Sequence, residues 1–329
     1  MNKPREVIFS KKLDNNRVVC ELCPRSCIIL NNETSRCRSR RNIEGTLYCE
    51  NYGKIAAYHM DPIEKKPLYH FYPGKRIFSI GSFGCNLSCE FCQNHDIAHG
   101  SPQLIETTPE NLADIAKNEK NNIGIAYTYN EPIIWFEFLM DIMPLVHRLG
   151  LKNVLVTNGY IKEKPLEALL EYVDAMNIDL KGFSDGFYQS LCGANMNPVK
   201  ETIKKASTSC HVEITTLIIP GRNDTKQEMG QMARWISTIN PQIPLHLSRY
   251  FPSYKLNLPA TEKDTLYELQ AEAKKFLEYV YIGNISDADM NTYCPKCNNL
   301  LVDRNGSSAM KGLRDGNCTT CSYPINIVY

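Results

Sequence analysis

Three cysteines in one short segment are the residues of this chain best suited to chemistry. Cys85, Cys89 and Cys92 have the spacing C-x3-C-x2-C, within a segment CNLSCEFC that follows the apolar run IFSI. Thiolates are the ligands of iron–sulfur clusters, and a cubane cluster has one more iron than three cysteines can bind. The open iron can bind a small molecule and pass it an electron. The segment therefore indicates a redox cluster site; the alternatives are a zinc knuckle with His95 as fourth ligand, or three unrelated core thiols.

A second cysteine group lies near the amino terminus. Cys20, Cys23, Cys27 and Cys37 fall within 18 residues. Four thiolates this close together in sequence can hold zinc or a second iron–sulfur cluster. The alternative is that they pack as small apolar groups. Cys49 lies outside this spacing and is not assigned.

The carboxyl-terminal segment contains two CxxC pairs. Cys294 and Cys297 form the first pair, Cys318 and Cys321 form the second, and 20 residues separate them. This spacing predicts a zinc ribbon with four thiolate ligands. Three cysteines remain outside the three groups: Cys49, Cys192 and Cys210. Of these, Cys192 is the one to test for a role near the active site.

Composition and charge narrow the class of protein. The chain has 329 residues with 37 basic and 36 acidic side chains, so its net charge gives no reason to expect non-specific nucleic-acid binding. The chain has no run of about 18 apolar residues, so no membrane span is predicted. The first residues lack the apolar core of a signal peptide. Fourteen cysteines in close groups indicate metal sites and not disulfides. We therefore expect a cytoplasmic, reducing and low-oxygen setting.

Strand-like and helix-like segments alternate through the middle of the chain. Apolar runs predict strands at 76–81, 124–130, 153–159, 174–181, 211–219, 244–250 and 279–283. Helices are predicted at 109–120, 132–149, 164–172, 198–208, 225–239 and 261–278, with Thr108, Asp224 and Thr261 as caps. This alternation predicts an α/β fold, a partial (β/α)6 TIM-type barrel open on one side. We expect three domains: an N-terminal cysteine-rich domain (1–70), the barrel (71–288) and a C-terminal zinc-ribbon-like domain (289–329).

Polar side chains stand where the predicted strands end. Because ligands bind at the carboxyl ends of barrel strands, we expect these side chains to build one site. They are Asn130 and Glu131 after the second strand, Asn158 after the third, Asp179 and Lys181 at the fourth, and His246 and Arg249 in the sixth. The charged segment DPIEKKPLYHF (61–71) is either a solvated connector or brings Lys65 or His70 into the site.

Together these motifs resemble those of radical S-adenosylmethionine (SAM) enzymes close to the pyruvate formate-lyase activating enzymes. More specifically, the chain looks like the radical SAM member of the AmmeMemoRadiSam system. That group shows a leader like CELCP, a segment like DPIEKKPLYHF, CQN after the cluster loop, YTYNEP, TNG, DLKG and a terminal cysteine ribbon, and the chain has each of them. The resemblance covers most of the chain.

The resemblance implies a set of site residues. Cys85, Cys89 and Cys92 would carry a 4Fe–4S cluster whose open iron chelates the amino and carboxylate groups of SAM. Asn130 and Glu131 stand where the superfamily contacts the methionine amine. The other implied SAM contacts are Asn158, Asp179 and Lys181, which match ribose and carboxylate positions, and His246. Lys181 is also a catalytic candidate through its charge.

The implied activity is reductive cleavage of SAM to a 5′-deoxyadenosyl radical that abstracts hydrogen from an unidentified substrate. An electron donor such as flavodoxin or ferredoxin is expected, and the family's partners are Memo-like and AMMECR-like proteins. Two other functions stay open. One is an activating enzyme that installs a glycyl radical on a partner protein, and the other is a metal-bearing binding module without catalysis.

Overall fold

The computed structural model describes residues 5–306 and 308–329. The first of these residues, 5–56, form a leader of short antiparallel strands: β1 (Ser10–Lys12), β2 (Val18–Cys20), β3 (Ile28–Ile29), β4 (Arg40–Ile43), β5 (Thr46–Cys49) and β6 (Lys54–Ile55). Strands β1, β2 and β3 form one small sheet, and β4 pairs with β5. Cys20 ends β2, and the loops between these strands carry Cys23, Cys27 and Cys37.

One large sheet organises the middle of the chain. The strands in this part of the chain are β7 (Ala57–Pro62), β8 (Arg76–Gly81), β9 (Ile105–Glu106), β10 (Asn122–Tyr127), β11 (Lys152–Thr157), β12 (Ala175–Asp179), β13 (His211–Ile218), β14 (Leu245–Arg249) and β15 (Val280–Gly283). Except for β9, which pairs with β6, these strands form an eight-stranded sheet in the order β15-β14-β13-β12-β11-β10-β8-β7 within the described residues.

The direction of the strands confirms the predicted fold class. Strands β8 and β10 to β15 run parallel, and β7 runs antiparallel to β8 at the edge. The edge strands β7 and β15 are not paired with each other in the described ranges, so the barrel stays open. The parallel part has seven strands, one for each predicted segment including 279–283, which is one more than the six repeats of a (β/α)6 barrel. The predicted domain boundaries after residues 70 and 288 stay predictions.

Helices follow the strands as the alternating pattern predicts. They are α1 (His95–Ala98), α2 (Pro109–Asn118), α3 (Phe136–Arg148), α4 (Glu163–Leu170), α5 (Asp185–Phe187), α6 (Asn197–Ser207), α7 (Lys226–Ile239) and α8 (Lys263–Ala273), with 3-10 turns at Ile63–Lys65 and Pro132–Trp135 and a π-helical turn at Tyr188–Cys192. No helix in the described part of the chain is long and apolar enough to cross a membrane.

One of the three predicted helix caps is confirmed. The Thr108 hydroxyl accepts a hydrogen bond from the Asn111 amide at 3.2 Å, at the start of α2. Helix α7 is capped by Thr225 and not by Asp224. Thr261 is not a cap either, because its hydroxyl donates to the carbonyl of Ile218 at 2.6 Å.

Apolar side chains on the outer face of the sheet hold the helices in place. Phe78 and Ile80 of β8 and Ile125 of β10 are buried in the same core as Leu139 and Ile142 of α3. Strands covered on both faces carry near-continuous apolar runs, which explains the IFSI segment. Each such side chain contributes about 2 kcal/mol when fully buried. This packing fixes the strand ends from which the site is built.

The carboxyl-terminal segment closes the amino-terminal end of the barrel. Its strands are β16 (Thr292–Tyr293), β17 (Leu300–Asp303), β18 (Ala309–Met310), β19 (Leu313–Arg314) and β20 (Asn317–Cys318). Leu301 and Val302 of this ribbon pack with Tyr69, Tyr279 and Tyr281 in one buried cluster. The ribbon therefore lies at the opposite end of the barrel from the strand ends that carry the predicted site.

A buried carboxylate joins the barrel floor to the segment 61–71. Glu213 accepts hydrogen bonds from the amides of Tyr69 (3.0 Å) and His70 (2.7 Å), and from Nε2 of His211 (3.1 Å) and of His246 (2.6 Å). Burial opposes ionisation, but the hydrogen bonds from the two histidines hold the pKa of the Glu213 carboxyl far below its usual value. Four donors thus satisfy a charge that has no access to water.

Lys65 and His70 of this segment are not among the residues that line the site cavity. The His70 ring is fully buried and its Nε2 lies 2.7 Å from the Tyr281 hydroxyl. The Lys65 side chain is 70% exposed, 3.7 Å from Asp61. The interpretation that Lys65 or His70 enters the site is therefore wrong. Most of the segment 61–71 is buried at the barrel floor, so it is not a solvated connector either.

Arg304 connects the ribbon to the buried segment 61–71. It is 5% exposed, it donates to the carbonyls of Tyr69 (2.5 Å) and Met290 (2.9 Å), and its guanidinium lies 4.6 Å from the centre of the Tyr69 ring. We expect Arg304→Ala to lower the free energy of unfolding by about 3 kcal/mol, because buried acceptors lose a charged donor. Urea or thermal unfolding measures this change.

The matched control is Arg314→Ala, which removes an exposed arginine from the same ribbon. Its effect should stay within about 0.5 kcal/mol of zero. Equal stability of the two variants would contradict the anchoring role of Arg304.

Candidate active site

A cavity of about 220 Å³ lies at the carboxyl ends of the barrel strands. The cysteine loop after β8 forms one wall, and the ends of β10 to β14 form the others. The predicted site residues that line it are Cys85, Cys89, Cys92, Asn130, Glu131, Asn158, Asp179 and Lys181. Side chains from four separate segments of the chain therefore meet in one place.

The cysteine loop begins at a glycine that no other residue can replace without strain. Gly84 has a φ of +89°, and a Cβ atom there would collide with the carbonyl oxygen of Cys37 in the leader. Beyond it, the Leu87 amide donates to the Cys85 sulfur at 3.4 Å. Burial raises the pKa of the Cys85 thiol, and this hydrogen bond from the Leu87 amide partly opposes that shift by favouring the thiolate, which is the ligand form.

The spacing of the sulfur atoms separates the ribbon from the other cysteines. Two sulfur pairs, Cys294–Cys321 and Cys297–Cys318, are each 3.6 Å apart, and all four sulfurs lie within 4.8 Å of one another. A tetrahedral ion with Zn–S bonds of about 2.3 Å holds its thiolates about 3.8 Å apart. The ribbon thus fits one tetrahedral ion.

The cysteine loop has a different geometry. Among the described residues, the ribbon is the group of ligand atoms close enough together to hold a single ion. Cys85, Cys89 and Cys92 instead line the wall of one cavity. Three thiols that face one space are the donor set of an iron–sulfur cluster, in which each thiolate binds a different iron. His95 is not part of this wall; its ring stacks on Tyr254 at 4.9 Å.

Amide side chains hold the loop against the neighbouring strand ends. Asn130 accepts a hydrogen bond from the Ser82 amide (3.0 Å) and donates to the Gly84 carbonyl (3.1 Å). Asn158 donates to the Asn86 side-chain oxygen at 2.9 Å. The loop is therefore fixed by the residues that follow β10 and β11.

Glu131 is a buried carboxylate that links the same two strand ends. Its oxygens accept from the Thr157 hydroxyl at 2.6 Å, the Ile133 amide at 3.0 Å and the Asn158 amide at 2.8 Å. Burial raises the pKa of Glu131 to about 7, although these hydrogen bonds lower it. The side chain is 3% exposed and lines the cavity, so a cation there would find a preoriented partner.

Asp179 and Lys181 form an ion pair on the opposite wall. Lys181 Nζ lies 2.8 Å from Asp179 Oδ2. Burial opposes protonation of the lysine, but Asp179 and the Cys89 sulfur raise its pKa well above the usual value. The lysine therefore stays charged beside the cysteine loop and can bind an anionic group in the cavity.

Two residues of the sixth strand are not brought into the cavity. His246 is 4% exposed and is bonded to Glu213 in the barrel floor. Arg249 donates to the Thr261 carbonyl at 2.7 Å. Ser248 is the residue of β14 that lines the cavity. His246 therefore does not lie where a SAM contact was expected.

Sequence reasoning missed Tyr129, which also lines the cavity. Its φ is +70°, an uncommon value for a bulky residue, and its hydroxyl donates to Asp61 at 2.9 Å. Lys66 donates to the same carboxylate at 2.8 Å and lies 4.7 Å from the centre of the tyrosine ring. The signal available in the sequence was an aromatic residue directly before Asn130 in YTYNEP.

Cys192 lies beside the cysteine loop. Its carbonyl accepts from the Ser88 amide at 3.0 Å, and the Leu191 carbonyl accepts from the Glu90 amide at 3.0 Å. The π-helical turn that ends at Cys192 thus pairs with the loop backbone between two of the site cysteines.

Comparisons with known proteins agree with this site. Residues 79–236 match the family model described as the Radical SAM superfamily. An uncharacterized protein of Methanocaldococcus jannaschii, MJ0808, is 42% identical over 98% of this chain and 99% of its own. The pyruvate formate-lyase-activating enzyme of Clostridium pasteurianum is 25% identical over 59% of this chain and 89% of its own.

Solved structures share the fold. SuiB of Streptococcus suis, in a crystal structure bound to S-adenosylmethionine, aligns with a TM-score of 0.52 at 15% identity, over 62% of this chain and 49% of SuiB. The matched family model spans β10 to β13, whose ends carry Asn130, Glu131, Asn158, Asp179 and Lys181, and it includes the cysteine loop. The chain therefore belongs to the radical SAM superfamily, as an enzyme related to the pyruvate formate-lyase activating enzymes.

Proposed function

We propose that this enzyme reductively cleaves SAM at a 4Fe–4S cluster bound by Cys85, Cys89 and Cys92. The observation that carries the proposal is the shared cavity. Three thiols face the same space as the polar groups at the ends of β10, β11 and β12. A binding module without catalysis has no need for this arrangement.

The side chains have separate tasks in the proposed reaction. A cluster held by the three thiolates would supply one electron to the SAM sulfonium, so that the S–C5′ bond breaks to give methionine and a 5′-deoxyadenosyl radical, which would remove a hydrogen atom from the substrate. The Glu131 carboxylate, with Asn130 beside it, pairs with the methionine ammonium. Asn158, Asp179 and Lys181 hold the ribose and the carboxylate of SAM. The buried walls exclude water from the radical.

The two four-cysteine groups are proposed as further metal sites. The ribbon thiols at Cys294, Cys297, Cys318 and Cys321 hold zinc, since their spacing fits a single tetrahedral ion. Zinc there would be structural, because the ribbon packs on the barrel floor and not on the cavity. The leader thiols at Cys20, Cys23, Cys27 and Cys37 hold zinc or a second iron–sulfur cluster.

Two substrate classes compete for the radical. Several relatives are named activating enzymes, among them the 4-hydroxyphenylacetate decarboxylase activating enzyme of Clostridium scatologenes, 23% identical over 60% of this chain. This favours a glycyl radical installed on a partner protein. The motif resemblance favours a different substrate, handled with Memo-like and AMMECR-like partners. Deuterium transfer from a labelled partner protein into 5′-deoxyadenosine would select the first class, and its absence with every protein tested would select the second.

The setting of the enzyme is part of the proposal. We expect a reducing, low-oxygen cytoplasm, since close groups of cysteines in a sequence are typical of metal sites and not of disulfides. A flavodoxin or a ferredoxin would supply the electron.

Cys89→Ala should abolish SAM cleavage, because the cluster loses one of its three protein ligands. Protein reconstituted with iron and sulfide without oxygen is incubated with SAM and dithionite, and 5′-deoxyadenosine and methionine are measured. Cys210→Ala, outside the three cysteine groups, is the control and should keep the wild-type yield. An equal yield from the Cys89 variant would contradict the proposed ligand set.

SAM binding should weaken as the pH falls through the pKa of Glu131. The carboxyl has a pKa of about 7, so acid converts it to a neutral group that cannot pair with an ammonium. Between about pH 7.5 and about pH 6 the Kd for SAM should rise roughly tenfold, as the ionised fraction falls. Equilibrium dialysis of the reconstituted enzyme measures it.

The control is Glu131→Gln, which keeps the size of the side chain and removes its titration. This variant should bind SAM weakly and with little change in Kd over the same pH range. A wild-type Kd that is flat with pH would mean that Glu131 does not pair with SAM as an anion.

A further inference from the structure

A second cleft lies beside the cysteine loop, outside the site cavity. Its volume is about 450 Å³, and none of the residues that line it lines the site cavity. Two arginines of the leader, Arg25 and Arg36, form part of its wall, and no carboxylate is among the described residues that line it. The reaction proposed above gives this cleft no task.

The two arginines come together at Gly193. A Cβ atom on Gly193 would lie 3.6 Å from a terminal nitrogen of Arg36 and 3.9 Å from one of Arg25. Arg25 donates to the carbonyls of Asn86 and Gly193. Arg36 donates to the Ser88 hydroxyl at 3.2 Å. Two like charges therefore converge with uncharged acceptors, and a guanidinium group is suited to bind a carboxylate or a phosphate.

Two more cations contact the same part of the chain. Arg38 donates to the carbonyls of Ala98 at 3.0 Å and Gly100 at 2.6 Å. The amide of Lys255 donates to the Glu90 carbonyl at 2.9 Å. We call the four cations the cationic face. Two of its members are exposed and two are half-buried: Arg36 and Lys255 are exposed, and Arg25 and Arg38 are half-buried.

The ring of His99 shows that Arg38 and Lys255 lie near each other. Burial lowers the pKa of His99, and the positive charges of Arg38 and Lys255 lower it further. Tyr254 stacks on the same ring with 5.6 Å between the ring centres, and it is 40% exposed. An exposed aromatic residue beside an arginine is typical of protein–protein interfaces.

The cationic face carries an excess of positive charge. None of its four members forms an ion pair with a carboxylate in the described part of the chain. The acids of the segment 85–100 are Glu90 and Asp96, and Asp96 lies 3.3 Å from Nε2 of His95. The whole chain has 37 basic and 36 acidic side chains, so this excess is local.

The contacts of the cationic face fall next to the site cysteines. Asn86 follows Cys85, and Ser88 and Glu90 flank Cys89. A protein bound to this face would therefore lie against the cysteine loop without entering the site cavity. Electron transfer between proteins needs such an approach, because its rate falls steeply with distance.

We propose that the cationic face is the docking surface of an acidic one-electron carrier protein. The carrier is oxidised by one electron. The SAM sulfonium accepts that electron as its S–C5′ bond breaks to give methionine and the 5′-deoxyadenosyl radical. This step rests on the proposed function, whereas the binding of an acidic carrier does not. A protein surface fits the face better than a phosphate ion does, because the cations contact several parts of the loop and an exposed aromatic ring lies beside them.

Binding is measured with an oxidised, acidic flavodoxin, so that no SAM cleavage is involved. We expect the Kd of the wild-type chain to rise about tenfold between about 20 mM and about 300 mM salt, since salt screens exposed charges. In the full chain with Arg36→Glu and Lys255→Glu, the Kd at low salt should rise about tenfold, because attraction is replaced by repulsion.

The matched control is Lys311→Glu with Arg314→Glu, which changes the net charge equally at two exposed residues of the ribbon. The ribbon lies at the opposite end of the barrel, so this Kd should stay within about twofold of the wild-type value. Equal Kd values for the two double variants, or a wild-type Kd that is independent of salt, would overturn the docking surface. Wild-type protein that binds inorganic phosphate and no flavodoxin would assign the cleft to a small anionic ligand and overturn it as well.

Two reductants separate docking from chemistry. Reduced methyl viologen is a small cation that needs no docking surface, so the Arg36→Glu, Lys255→Glu variant should cleave SAM with it at the wild-type rate. The KM for reduced flavodoxin should rise about tenfold, and an unchanged KM would contradict the proposal. If this variant loses its iron, Lys255→Glu alone should still raise the KM about threefold, since the Lys255 ammonium lies over the Tyr254 ring and not on the loop.

The docking surface and the proposed function fail separately. A wild-type enzyme that cleaves no SAM with either reductant would sink the proposed function, while salt-sensitive flavodoxin binding that the double variant loses would still establish the surface. SAM cleavage with both reductants and the same KM for flavodoxin in every variant would leave the proposed function standing and remove the surface.

Discussion

The site depends on amide side chains that fasten the cysteine loop to the strands beside it. Asn130 bonds the loop backbone on both sides of Phe83, and Asn158 bonds the side chain of Asn86. A thiol-bearing loop is otherwise free to spread its sulfurs, and ordering it costs conformational entropy. The two asparagines follow strands that the buried sheet holds in register. The entropy cost of ordering the loop is therefore offset as part of the folding of the barrel. The loop geometry is therefore a property of the fold.

Buried polar groups have different partners at the two ends of the barrel. At the floor, four donors converge on Glu213 and the ribbon covers them, so the charge is satisfied within the protein. At the carboxyl ends, Glu131 keeps a raised pKa and Lys181 has one charged partner, and both border open space. A ligand with an ammonium and a carboxylate group can pair with Glu131 and Lys181 at the carboxyl ends. It would find no free partner at Glu213, whose charge is already satisfied. This contrast identifies the reactive end without reference to relatives.

Much of this arrangement is predictable from the sequence, and its failures have physical causes. The strand-end rule correctly brings Glu131, Asn158 and Lys181 to one cavity, because parallel strands expose their carboxyl ends at the same edge. It fails for His246, since the ring of this residue is bonded to the buried carboxylate of Glu213, 2.6 Å away in the barrel floor. Tyr129 was missed because its position depends on a positive φ that only the folded loop imposes.

The three cysteine groups show the limit of spacing as a guide. C-x2-C-x3-C in the leader and C-x3-C-x2-C in the loop leave zinc and iron–sulfur open, because sequence fixes which sulfurs are neighbours but not how far apart they stand. Distance between sulfurs resolves the ribbon, where 3.6 Å pairs fit one ion. The leader thiols are not such a compact group in the described residues, so zinc and an iron–sulfur cluster both stay proposals there. Spacing along the chain therefore predicts which thiols act together, and their positions in the fold decide what they can bind.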